Sequence, residues 1–201
     1  MDDIPALAGG GKSSVGDKAI VGVLTISDRA SAGVYKDIGG PAVLSNLAKV
    51  LESEWEAVYR VVADEQPEIE AAIIEMADKQ HCCLVITTGG TGPSPRDVTP
   101  EATAAVCARM LPGFGEQMRA LGLKHVPTAV LSRQTAGIRG RSLVINFPGK
   151  PSSIAETFEE VFQSIPYCVQ LIGGPYLQLL PDVKHPAFRP KDGIRTSRPD
   201  E

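Results

Sequence analysis

The chain has 201 residues, 43% of them hydrophobic and 5% aromatic, with a formal net charge of −4. That length and apolar content suit one α/β domain with short tails rather than two compact domains. The charge argues against a general nucleic-acid grip, which needs a basic face, and no apolar run approaches the roughly 20 residues of a membrane span, so neither nucleic acid nor a membrane is an expected partner.

Residues 1–17 are rich in Gly, Ala, Ser and Asp and read as a flexible leader. The opening Met1-Asp2-Asp3 is acidic, unlike a signal or transit peptide, so the cytoplasm is the expected compartment. Inside this leader, Ala6 to Ser13 imitates a phosphate-binding P-loop, but Ala6 stands where the first glycine belongs and only five residues precede it. A working P-loop needs a strand before it and a helix after it, so this segment is not taken as a nucleotide site.

Ala19 to Ile26, β-branched and apolar, is the first expected strand. Leu44, Leu47, Ala48 and Leu51 then recur at helical spacing within Gly39–Leu51, and Trp55 to Val62 alternates like a half-buried strand that ends at Asp64. Pro67 opens a helix with Ile69, Ala72, Ile73, Met76 and Ala77 on one face. An apolar strand, Cys83–Ile86, leads into a loop of glycines and threonines. Pro100 starts a further helix that Pro112-Gly113 breaks, and Phe114, Met118 and Leu121 mark its short successor. Leu143–Phe147 is the last expected strand, after which Ser152 or Ser153 would cap a helix bearing Ile154, Phe158, Val161 and Phe162. Beyond about Pro181 the chain turns polar and proline-rich, so the expected division is a leader (1–17), one domain (18–180) and a tail (181–201). Strands alternating with helices predict an α/β fold with a mainly parallel sheet covered on both faces.

Four cysteines, Cys82, Cys83, Cys107 and Cys168, form no C-x-x-C pair, and His81, His125 and His185 are scattered, so a structural zinc site is not expected. Cys83 reads as a small buried hydrophobe.

The strand-to-helix junctions carry the chemistry. In a parallel sheet they share one edge, where open α/β proteins bind ligands. Thr87-Thr88-Gly89-Gly90-Thr91-Gly92-Pro93 has little side-chain bulk, so its N–H groups can approach an anion closely. Asp97 lies just beyond it, Asp64-Glu65-Gln66 follows the second strand, Ser27-Asp28-Arg29 the first, and Asn146-Phe147-Pro148-Gly149-Lys150-Pro151-Ser152-Ser153 the last. Plainer roles stand beside these: Asp64 as the cap of the helix near Pro67, Asp97 as a turn residue, Ser27 and Asp28 as local caps, Lys150 as a solvated lysine. Two aspartates at adjacent strand ends with a phosphate-sized glycine loop suit Mg²⁺-assisted phosphoryl or nucleotidyl transfer. No histidine lies at a junction, which leaves no Ser-His-Asp arrangement.

Several segments resemble the MogA-type molybdopterin adenylyltransferases. They are Thr25 to Gly33 with Asp37, Asp64-Glu65-Gln66, Thr87–Pro93 with Arg96-Asp97-Val98-Thr99-Pro100, Pro112–Glu116, Leu131-Ser132-Arg133, Asn146–Pro151 and Ile165–Cys168. The likeness runs in register from about Ala19 to Tyr176; the glycine loop alone is shared by the wider molybdenum-cofactor-binding fold. The resemblance implies a three-layer α/β/α sandwich that assembles as a homotrimer. It also implies a reaction in which molybdopterin and ATP, with Mg²⁺, give adenylylated molybdopterin and pyrophosphate, for a downstream partner that inserts molybdate. Asp64 and Asp97 match the family's essential acidic pair, expected to be catalytic and to hold the metal. Thr88, Gly89, Gly90, Thr91 and Gly92 match its pterin- and phosphate-binding loop; Ser27, Asp28, Asn146, Pro148, Gly149 and Ser152 are further expected substrate contacts. Two other readings fit the same fold: a non-catalytic molybdopterin-binding scaffold, and a nucleotide-cleaving enzyme.

Overall fold

The computed structural model describes residues 18–190; the leader with its P-loop imitation and the end of the polar tail lie outside the described residues. The described strands are β1 (Ala19–Ile26), β2 (Trp55–Val62), β3 (Leu84–Thr88), β4 (Arg109–Met110), β5 (Ala136–Arg139) and β6 (Ser142–Phe147), in one sheet of order β2-β1-β3-β6-β5-β4. The first four strands in that order run parallel, and β5 alone is reversed, pairing antiparallel with β6 on one side and β4 on the other. β3 and β6, covered on both faces, are buried along their whole length, which is why they read as unbroken apolar runs. The edge strand β2 is half-buried after Trp55 and alternates accordingly.

Helices cover both faces, giving the three layers expected. Here α1 is Asp28–Ser31, α2 Gly39–Val50, α3 Gln66–Ile74, α4 Thr99–Val106, α5 Pro112–Leu123, α6 Pro151–Val161 and α7 Ile165–Leu171. On one side Val43, Leu44 and Leu47 of α2, Met118 of α5, Ile154, Phe158 and Val161 of α6 and Ile165 of α7 pack on Val21, Val23, Leu84, Ile86, Leu143 and Phe147. On the other, Ile69, Ala72 and Ile73 of α3, Met76 of the π-helical turn that follows it, and Ala102 and Val106 of α4 meet Leu24, Val85 and Val144. Cys82 and Cys83 therefore take opposite sides of the sheet, each in its own core cluster. Burial pushes the Cys82 thiol up to about 12 and the Cys83 thiol up to about 11. Phe158 lies edge-on to Phe147 and stacks on Phe162, each at 5.1 Å between centroids. Phe158→Ala is expected to destabilise the protein by about 3–5 kcal/mol, read as a lowered urea midpoint with an unchanged slope.

Local expectations differ in three places. The helix predicted from Pro100 begins at Thr99 and stops at Val106, because Cys107 turns extended and leads into β4. The strands β4 and β5 are two and four residues long, and Gly137 in β5 is a point of close approach: a β-carbon there would stand 2.7 Å from that of Cys107. Neither Ser152 nor Ser153 caps α6. Pro151, without an N–H to satisfy, takes the first helical position, and Lys150 becomes the flanking residue with no side-chain cap bond. Residues 181–190 contain no helix or strand but are held to the body. The Phe188 N–H donates to the Gln163 carbonyl, and Arg189 donates to the Leu177 carbonyl and lies 4.0 Å from the centre of the Tyr176 ring.

Candidate functional site

Register brings the junctions together. Ile26 pairs with Val62, Thr25 with Thr88 and Thr88 with Phe147, so the four parallel strands end level and their loops emerge at one edge. The glycine loop forms the middle of that edge. Gly89 has φ +104 and Gly90 φ +61, conformations that favour glycine. A β-carbon at Gly89 would stand 2.2 Å from the Ile26 carbonyl oxygen, so the loop lies directly against the end of β1. Thr88 donates through its hydroxyl to the Pro148 carbonyl at 2.8 Å, Thr99 to the Gly89 carbonyl at 2.9 Å, and a β-carbon at Gly149 would stand 3.5 Å from the Gly89 α-carbon. Gly89, Gly90, Thr91, Gly92, Pro148 and Gly149 thus lie side by side on this edge, with Thr88 buried beneath them.

The two acidic residues flank this loop. A β-carbon at Gly90 would stand 3.2 Å from Asp64 Oδ1, and one at Gly92 would stand 2.9 Å from Asp97 Oδ2. Asp64 does not cap α3; Glu65 is the flanking residue, without a side-chain cap bond. Instead Asp64 Oδ2 accepts the Asp28 N–H at 2.7 Å, and Asp28 Oδ1 accepts the Asp64 N–H at 3.0 Å, a reciprocal clasp between the loops after β1 and β2. Asp97 Oδ2 accepts the Ser94 N–H at 2.9 Å, a turn role for that oxygen. Burial, together with the nearby Asp28 and Asp97 carboxylates, raises the Asp64 carboxyl above its ordinary value. Arg96 forks Asp28 and holds that carboxyl below its ordinary value.

Other expected contacts have different surroundings. Ser27 caps α1, accepting the Ala30 N–H at 3.3 Å, and meets the Tyr35 hydroxyl at 3.2 Å. Asn146 is fully buried, its amide donating to Thr87 Oγ1 at 3.0 Å and Thr103 Oγ1 at 2.8 Å, so it braces the edge from inside. Ser152 is exposed, whereas its neighbour Ser153 lines the cavity beside the loop. That cavity, about 430 Å³, opens between Thr91–Pro93, Pro148–Lys150, α5 and the 3₁₀ turn Pro127–Leu131, with Met118, Leu121 and Leu131 as apolar wall and Gln134 as buried polar lining.

Three residues shape the site without having been assigned to it from sequence. Arg133 donates from its backbone to the Thr91 carbonyl at 2.9 Å and from Nε to the Gly92 carbonyl at 2.8 Å; its guanidinium also reaches the Asp97 carbonyl and the Glu101 carboxylate. With those carbonyls engaged, the loop keeps a fixed shape. Asp37 accepts from Thr25 Oγ1 at 2.8 Å, from Gly39 and Gly40 N–H at 2.9 and 3.0 Å, and from the Tyr59 hydroxyl, tying α2 to β1 and β2. Burial, then the bond to Asp37, raises the Tyr59 phenol. Arg96 is the third. The signal for it was a lone cation between the glycine loop and an acid; Arg133 stood in a segment that carried the resemblance, but its partner Gly92 lies 41 residues away.

A family model described as a probable molybdopterin binding domain matches residues 22–167. A protein of Helicobacter pylori named molybdopterin adenylyltransferase is 57% identical over 171 residues, 85% of this chain and 97% of that protein. One of the same name from Escherichia coli is 50% identical over 187 residues, covering 87% of this chain and 95% of its own length. The crystal structure of the molybdopterin biosynthesis enzyme MoaB from Thermus thermophilus superposes with a TM-score of 0.72 at 40% identity, over 79% of this chain and 99% of that one.

Proposed function

We propose that this chain, which belongs to the family of probable molybdopterin binding domains, is a molybdopterin adenylyltransferase. The observation that carries the reading is the placement of Asp64 and Asp97 against one glycine loop, at Gly90 and Gly92. The substrates are molybdopterin and ATP. The terminal phosphate oxygen of molybdopterin attacks the α-phosphorus of ATP, the new P–O bond replaces the one to the β-phosphate, and pyrophosphate leaves. The nucleophile is already an anion, so the protein needs no covalent intermediate. Its task is to place two polyanions within attack distance and to offset their repulsion.

The residues fit a magnesium ion. Among the described residues no three His, Cys, Asp or Glu side chains are arranged to hold a metal by themselves. Two carboxylates completed by substrate phosphates and water are an ordinary Mg²⁺ environment, and Asp64 and Asp97 both lie against the glycine loop, at Gly90 and Gly92. When bound by Asp64 and Asp97, Mg²⁺ would supply positive charge between the phosphates. In this reading the glycine loop receives the phosphates, Thr88 ties it to Pro148, Asn146 braces the end of β3 that leads into it, and the cavity beside Thr91 and Ser153 receives the larger ring system.

In this reading residues 18–180 are the catalytic domain, and the protein works in the cytoplasm as a homotrimer that passes its product to a molybdate-inserting partner. Val34, Ile38, Val130 and Leu131, all exposed, are apolar surface such an assembly would cover. Purified protein given molybdopterin, ATP and Mg²⁺ is expected to release pyrophosphate in step with adenylylated pterin seen by mass spectrometry, and a chelator is expected to stop it. Tight pterin binding with no product would overturn the reading in favour of a scaffold.

A further inference from the structure

Arg96 joins three loops. It projects from the loop after β3; its Nε and Nη2 fork the Asp28 carboxylate at 2.8–3.1 Å, after β1, and its Nη1 reaches Glu65 at 2.8 Å, after β2. Asp28 in turn exchanges backbone bonds with Asp64. The next residue along the chain is Asp97. The guanidinium therefore touches the partner of one candidate catalytic carboxylate, and its residue precedes the other in the chain.

We infer that Arg96 is a positioning residue: it sets the separation of Asp64 and Asp97 by holding Asp28 and Glu65, and does so for the reaction rather than for stability. The inference rests on the adenylyltransferase reading. Its ion-pair partners are about half exposed, at 47% for Asp28 and 51% for Glu65, with Arg96 at 53%. Pairs that exposed add little to folding stability. A bidentate fork, by contrast, fixes direction as well as distance, and small displacements of a catalytic group cost much rate. Without Arg96 the Asp28 carboxylate faces Asp64 with no intervening cation, and the clasp between their loops is opposed by like charge. Lysine cannot replace the fork, because a single ammonium cannot meet two carboxylates in this planar geometry.

The test is a kinetic cycle on the full chain with Arg96→Ala, Asp28→Ala, the double variant and Arg96→Lys. Arg96→Ala is expected to lower kcat about 10–100-fold, to leave KM for ATP within about threefold, and to keep the melting temperature within about 4 °C. The double variant is expected to lose less than the product of the two single losses, since both substitutions remove the Arg96–Asp28 fork. Arg96→Lys should recover only part of the rate. Three results would each overturn the inference: multiplicative losses in the double variant, a large rise in KM with kcat intact, or a large fall in melting temperature with normal turnover of the folded fraction. Should the wild-type protein release no pyrophosphate, the functional reading itself fails. The positioning is then read from crystal structures of Arg96→Ala, in which retained Asp28–Asp64 bonds would refute it and lost ones support it.

Discussion

Asparagine in place of Asp64 or Asp97 is expected to lower pyrophosphate release by about 10²–10³-fold while leaving the protein folded. Asparagine keeps a carbonyl oxygen that can still accept the Asp28 N–H or the Ser94 N–H, so each loop retains its local bond. What is lost is the negative charge. For Asp64→Asn the melting temperature at neutral pH is expected to equal or exceed that of the parent. The native carboxyl is raised by burial and by repulsion from Asp28 and Asp97, so its ionised form disfavours the folded state. A raised carboxyl means that the folded state binds the proton more tightly than the unfolded chain. The penalty is therefore absent below the ordinary carboxylate value, grows as pH rises through the folded value and is complete above it. Melting curves of parent and variant should converge on acidification. A variant that lost activity and also unfolded at neutral pH would place Asp64 among the residues that build the fold.

Gly89→Ala is expected to be the most damaging single methyl group in the molecule. The position has φ +104, where a side chain costs about 1–3 kcal/mol. The added carbon would meet the Ile26 carbonyl oxygen at 2.2 Å, backbone against backbone, so relief requires moving β1 or the loop at a further cost of about 1–3 kcal/mol. The same displacement would pull the loop from Pro148 and Thr99, so activity should vanish even in protein that remains folded. Gly113→Ala is the matching control. It lies in the first turn of α5 with no neighbouring atom within 4 Å of the added carbon, and is expected to be neutral or slightly stabilising. Urea midpoints of the two variants against the parent check both expectations.

These residues also show where sequence reasoning reached and where it stopped. β1 has the predicted ends and β2 the predicted start, because period and composition change sharply at Ala19, Ile26 and Trp55; β2 stops at Val62, two residues before the expected Asp64. The convergence of the four loops followed from parallel order alone, and the sheet has it. By contrast, β4 and β5 are too short for a period, and a glycine at their closest approach hides them further. Among the site residues, backbone-shaped features such as the glycine loop announced themselves through composition. Asn146 did not reveal that its amide turns inward to Thr87 and Thr103, since a strand end can present a side chain to either face. Arg133 illustrates the deepest limit: its importance comes from a fold contact with a distant loop, and nothing near it in the chain hints at that partner.

The two adjacent thiols have a chemical consequence. Cys82 and Cys83 lie just before β3 and belong to core clusters on opposite faces of the sheet, so their sulfur atoms face different layers and do not meet to bond. Each is also shielded and protonated at physiological pH, and peroxide or alkylating agents attack the thiolate rather than the thiol. Neither disulfide formation between Cys82 and Cys83 nor modification by such reagents is therefore expected while the protein stays folded.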